Sequence, residues 1–162
     1  MWGLLGSSNK LTICFRETVM TSAGENTRDG DQDALSKARL PSVLIVDDSR
    51  DSVNIFSRLF GNHGYEVHVA YDWARALETA KTHLPDIILL DLGMPEMDGI
   101  HLALLLREDE QLKDKLLVAV TGYADDMHRQ QCEAAGFDYV LPKPVAWADL
   151  KSIIDRLWSK RK

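Results

Sequence analysis

Cysteine is scarce. Cys14 and Cys132 are the only two in 162 residues, which excludes a disulfide framework and fits reduced thiols in a cytosolic protein. Basic residues are in the minority, with 19 Lys and Arg against 25 Asp and Glu. The basic stripe expected of a nucleic-acid-binding surface is therefore missing. No apolar run reaches the roughly 18–20 residues of a membrane span. A secretory leader is not matched either. Met1-Trp2-Gly3-Leu4-Leu5 lacks a basic opening and gives way at once to Gly6-Ser7-Ser8-Asn9-Lys10, where a leader would stay apolar for about 7–15 residues. Internal repeats are also lacking. These absences predict a cytoplasmic protein with neither a nucleic-acid nor a membrane partner.

The remaining composition is that of a globular protein, 45% hydrophobic and 27% charged. The length suits one domain of about 100–150 residues with an appendage. Residues 21–39 are polar, poor in aromatics and rich in Gly, Asp, Thr and Ser. Such a stretch buries too little apolar surface to offset its ordering entropy. We therefore divide the chain into a flexible extension, 1–40, and a folded domain, 41–162. The extension holds five basic and five acidic residues, so the whole net charge of −6 falls on the folded part.

From Pro41 onward, strand and helix patterns alternate. Val43–Val46, Ile87–Leu90 and Leu116–Val120 are continuous apolar runs, as in strands covered on both faces. Tyr65–Ala70 and Tyr139–Leu141 supply two more strands. Between them lie helical patterns. The first is capped by Asp48 or Ser49 and ends near Gly61 and Gly64. The second is capped by Asp72 and stops before Pro85. The third spans about 99–107 and the fourth runs over Ala124–Ala135. The last is marked by Trp147, Leu150, Ile153, Ile154 and Leu157 at 3/4 spacing. Five strands alternating with five helices imply a parallel α/β sheet with right-handed crossovers and helices on both faces. Sites in such sheets form beyond the carboxyl ends of the strands.

The residues at those ends are chemically telling. Asp47 and Asp48 follow the first strand, Asp91 the third, Thr121 the fourth and Lys143 the fifth. Separations of 43, 30 and 22 residues, from Asp48 to Asp91 to Thr121 to Lys143, fit whole strand–helix units and return each residue to one edge. Three carboxylates brought together repel unless a cation lies between them. A hard divalent ion such as Mg²⁺ meets that need. A carboxylate can attack phosphorus to give an aspartyl phosphate. A lysine ammonium and a threonine hydroxyl can stabilise a transferred phosphoryl group.

The stretches VLIVDDSR (43–50), IILLDLGMPEMDG (87–99), VAVTGYA (118–124) and LPKPV (141–145) together resemble the receiver domain of two-component response regulators, over about residues 41–162. The resemblance implies a doubly wound, flavodoxin-like sheet of strand order 2-1-3-4-5. It implies that Asp91 is the phosphoacceptor, served by a histidine kinase or a phosphotransfer protein. Mg²⁺ would be held by Asp48 directly, by Asp47 largely through water, by Asp91, and by the backbone carbonyl of Gly93. Thr121 would bond a phosphoryl oxygen and Lys143 would pair with the phosphoryl group, its bond to Pro144 being cis in typical members. Gly122 would leave the acceptor accessible. A downstream protein would dock on the face of the fourth and fifth helices. About four residues follow the last helix, so a stand-alone receiver is expected, acting by protein contact or phosphorelay and catalysing only its own phosphorylation and dephosphorylation.

One position departs from the family pattern. Many receivers carry an aromatic residue three places before the lysine; here Val140 stands there, with Tyr139 one place earlier. Neighbours on a strand point to opposite faces, so Tyr139 does not substitute simply. Other functions fit less well. An aspartyl-phosphate hydrolase would place a second acid two residues after the nucleophile, where this chain has Gly93. A flavin protein would be repelled by the acidic DDSRDS loop. The alternative is a phosphorylation-independent docking receiver. Cys132 reads as a packing thiol, and His63, His68, His83, His101 and His128 lack ligand spacing.

Overall fold

The computed structural model of the chain describes residues 40–95, 98–122 and 126–161. The flexible extension expected over 1–40 lies, apart from Leu40, outside the described residues. So does Tyr123.

The elements alternate strictly: β1 (Val43–Val46), α1 (Arg50–Asn62), β2 (Val67–Ala70), α2 (Trp73–His83), β3 (Ile87–Asp91), α3 (Gly99–Glu108), β4 (Leu116–Thr121), α4 (Asp126–Ala134), β5 (Tyr139–Pro142) and α5 (Trp147–Ser159). All pairings are parallel and the strand order is β2-β1-β3-β4-β5. This is the doubly wound five-stranded sheet flanked by five helices that the sequence predicts.

The apolar runs behave as expected of buried strands. β1, β3 and β4 are buried throughout, and alternation divides their side chains between two cores. One core joins Leu44, Ile88, Leu90 and Ala119 to Ala76, Leu102 and Cys132 of α2, α3 and α4. The other joins Val43, Ile45, Leu89 and Val118 to Val53, Phe60, Leu150 and Ile154 of α1 and α5. Phe60 makes edge-on contacts with Tyr65 and Trp147 at centroid distances of 5.2 and 5.0 Å, a geometry that aromatic quadrupoles favour.

Helix boundaries follow capping chemistry. Ser49, rather than Asp48, caps α1, its side chain accepting from the Ser52 N–H. Asp72 caps α2 through the Arg75 N–H at 2.7 Å, and Asp98 caps α3 through that of Ile100. Two helix ends fall where the sequence reading places them, with caps it did not name. Gly61 lies inside the last turn of α1, which ends at a His63 cap. α2 closes on Leu84 with φ 47°, a left-handed cap that a leucine pattern does not signal. Gly136 has φ +89° and packs against Arg107. The Arg107 guanidinium in turn donates to the carbonyls of Gly136, Lys113 and Lys115.

Candidate functional site

The parallel register delivers the predicted residues to one rim. Val46 pairs with Leu90, Asp91 with Val120, and Thr121 with Pro142. Asp47 and Asp48 therefore emerge beside the end of β3, with Thr121 and Lys143 on its other side. Carboxylate oxygens of Asp47, Asp48 and Asp91 lie within 4.8 Å of one another. Asp47 and Asp91 are buried, at 4% and 8% exposure, while Asp48 is open to solvent. Two acids sit in the wall and one at the mouth.

Lys143 holds the wall together. Its Nζ donates to Asp91 Oδ2 at 2.8 Å and to Asp47 Oδ2 at 3.1 Å. Burial alone would lower its pKa. Hydrogen bonds and attraction from Asp91 and Asp47 outweigh that and hold the ammonium above its ordinary value. The second oxygen of each acid is also occupied: the Gly93 N–H donates to Asp91 Oδ1 at 3.0 Å and the Ser49 N–H to Asp47 Oδ1 at 2.8 Å. Thr121 is almost fully buried, and its carbonyl accepts from the Lys143 N–H at 2.8 Å. The Lys143–Pro144 bond is cis.

Sequence reasoning missed Gly99. A Cβ there would come within 2.8–2.9 Å of Leu92 and 3.1 Å of the Asp91 carbonyl. Only glycine lets the start of α3 press on the loop that carries Asp91. The close approach could have been read from the Asp98-Gly99 pair beside a helix start. At Gly122, a Cβ would meet nothing within 4 Å among the described residues. The aromatic position is as the alternation predicts: Val140 packs on the core of α2, α3 and α4, and Tyr139 on the opposite core, with the Arg156 guanidinium 5.5 Å over its ring.

A donor set of oxygens, two of them on buried carboxylates beside one solvent-facing acid, suits a hard divalent cation. Residues 43–155 match the model of the response regulator receiver domain family. The chain belongs to that family. It is 31% identical over 105 residues to the polar-differentiation response regulator DivK of Brucella ovis, covering 65% of this chain and 85% of the relative. Among solved structures, it resembles the chemotaxis protein CheY4 of Vibrio cholerae, with 30% identity, a TM-score of 0.70, and coverage of 73% of this chain and 98% of that one. It also resembles the signal receiver domain of a signal transduction histidine kinase from Syntrophus aciditrophicus, with 27% identity, a TM-score of 0.69, and coverage of 76% and 93%. This receiver is thus a phosphoacceptor module of two-component signalling. Receivers exchange phosphoryl groups with histidine kinases or phosphotransfer proteins, act on downstream proteins, and generally bind Mg²⁺ at an acidic pocket. No helix among the described residues is long and apolar enough to cross a membrane.

Proposed function

We propose that Asp91 accepts the phosphoryl group. An Asp91 carboxylate oxygen attacks phosphorus, forming an O–P bond. The P–N bond of a phosphohistidine donor, or the P–O bond of acetyl phosphate, breaks and its electron pair leaves with the donor. Asp48, Asp91 and the Gly93 carbonyl would hold Mg²⁺, with Asp47 contributing largely through water. When bound, Mg²⁺ would offset the charge shared by the acids and the incoming phosphoryl oxygens.

The protein's own groups do the rest. Gly93 N–H and Lys143 Nζ orient the Asp91 carboxylate. Lys143 already carries its charge between two acids, so it can follow the negative charge onto the phosphoryl group without changing protonation. Thr121 would hydrogen-bond the modified acceptor and draw in the loop that follows it. A stable domain that catalyses only its own modification, in the cytoplasm, with a target bound on the α4 and α5 face, completes the reading.

The observation that carries this is the convergence of three carboxylates and one ammonium at the carboxyl ends of β1, β3 and β5. It also disfavours pure docking, which needs no such charge concentration. The test is intact-mass measurement after incubation with acetyl phosphate and Mg²⁺. The expected result is a gain of one phosphoryl group, abolished by a chelator and by Asp91→Asn. An unmodified wild-type protein would contradict it.

A further inference from the structure

We propose that His63 and Trp147 form an acid-sensitive latch between the end of α1 and the first turn of α5, closed while the His63 ring is neutral and opened by its protonation. It is independent of the phosphoacceptor reading.

The latch uses both nitrogens of one ring. His63 caps the carboxyl end of α1. Its Nδ1 lies 2.8 Å from the Leu59 carbonyl oxygen, and its Nε2 lies 3.3 Å from Trp147 Nε1. A carbonyl oxygen only accepts and an indole N–H only donates. Nδ1 must therefore carry the proton, and Nε2 must offer its lone pair. One neutral tautomer satisfies both contacts. The other tautomer and the imidazolium each set an Nε2–H against the indole N–H. The two rings also pack, with centroids 4.7 Å apart.

The far end of the latch gives it a consequence. Trp147 is the first residue of α5, and the N-cap before it, Ala146, makes no side-chain hydrogen bond. α1, α2 and α3 each have such a bond, from Ser49, Asp72 and Asp98. The tie to His63 thus fastens a helix start that lacks the usual cap. That start lies four residues after Lys143, which reaches the acceptor.

A proton taken from solvent at Nε2 removes the acceptor. The imidazolium keeps its bond to Leu59, which the charge strengthens, and the carboxyl end of a helix favours a cation. The charged ring stays with α1 and releases α5. Other charges on the packed segments do not oppose this. Lys151 and Asp155 of α5 pair at 2.5 Å, Tyr65 donates to Asp155 at 3.5 Å, and Glu66 pairs with His68 at 3.3 Å. Arg58 of α1 and Asp149 of α5 are exposed. Among the described residues, no ion pair reaches His63.

The test is NMR of the full chain, following the His63 ring nitrogens and the Trp147 indole N–H from about pH 8 to about pH 5, the range in which an imidazole changes charge. Trp147→Phe assigns the indole signal among the four tryptophans. We expect the Nδ1–H tautomer at the upper end and an indole signal that moves with the same midpoint as the ring. In His63→Gln the amide oxygen accepts but does not titrate, so the indole signal should hold still. His63 is exposed, so this substitution leaves the fold intact. At the acid end, amide exchange across the first turn of α5 should be roughly two- to tenfold faster in the wild type than in His63→Gln, the range that one modest hydrogen bond supports. The proposal is overturned by an Nε2–H tautomer at the upper end, by an indole signal that ignores the titration of His63, or by equal exchange in the two proteins.

Discussion

Lys143 Nζ sits 2.8 Å from Asp91 Oδ2. A cation just after β5 and the acid that ends β3 meet across the end of β4, and the same ammonium reaches Asp47, just after β1. The pair is partly buried, so removing one partner leaves the other charge poorly compensated. The Asp91 carboxylate is consequently held in place by Lys143 and by the Gly93 N–H.

The crowding of Asp47, Asp48 and Asp91 predicts metal-dependent stability. One ammonium compensates only part of three negative charges. Mg²⁺ should stabilise the wild-type protein by about 2.7 kcal/mol at a hundredfold excess over its dissociation constant, and so raise its unfolding midpoint. In Asp48→Asn the metal effect should largely vanish, while the metal-free protein should be at least as stable as the wild type. Urea unfolding with and without Mg²⁺ checks both points.

Alkaline pH should weaken the fold. Burial and then Asp155 raise the Tyr65 pKa above its ordinary 10.0, and Asp91 and Asp47 overcome burial to raise Lys143 above 10.5. A group whose pKa is raised by folding contributes fully below its unfolded value and loses that contribution as pH rises through the folded one. Stability from these groups should be level to about pH 10 and then fall. Urea midpoints across that range should fall less steeply in Lys143→Met, whichever way its stability at neutral pH changes.

Gly99→Ala should disturb the acceptor loop. The added methyl meets backbone at Leu92 and Asp91, which cannot rotate away. We expect a loss of about 1–3 kcal/mol together with slower labelling by acetyl phosphate. Thermal unfolding and labelling rates measured on one preparation would reveal both effects.

Ser57→Ala should stabilise the protein. Ser57 Oγ is buried on α1 without a hydrogen-bond partner among the described residues. Replacing it removes an unmet polar atom and supplies a better helix former, together worth about 1 kcal/mol. Denaturant unfolding should show a higher midpoint with an unchanged slope.

Much of this was legible in the sequence because parallel strands are buried on both faces. The runs at 43–46, 87–90 and 116–120 therefore announce themselves, and whatever polar residue ends each run must lie on one rim. That is why Asp47, Asp91 and Thr121 could be placed without coordinates. Edge strands are less explicit. β2 begins at Val67, although Tyr65 already alternates, because Tyr65 is drawn into the aromatic contact with Phe60. Contacts between elements distant in sequence were not legible at all. The Arg107 clamp on Gly136 and the stacking of His68 on His83 depend on helix placement, which no local pattern encodes.

The most direct test of the account is to locate the modification. After labelling with acetyl phosphate and Mg²⁺, borohydride reduction converts an aspartyl phosphate to homoserine, which peptide mass spectrometry assigns to a single position. The account predicts homoserine at residue 91 and nowhere else. Homoserine at position 47 or 48, or phosphate recovered on a histidine or a hydroxyl side chain, would contradict it.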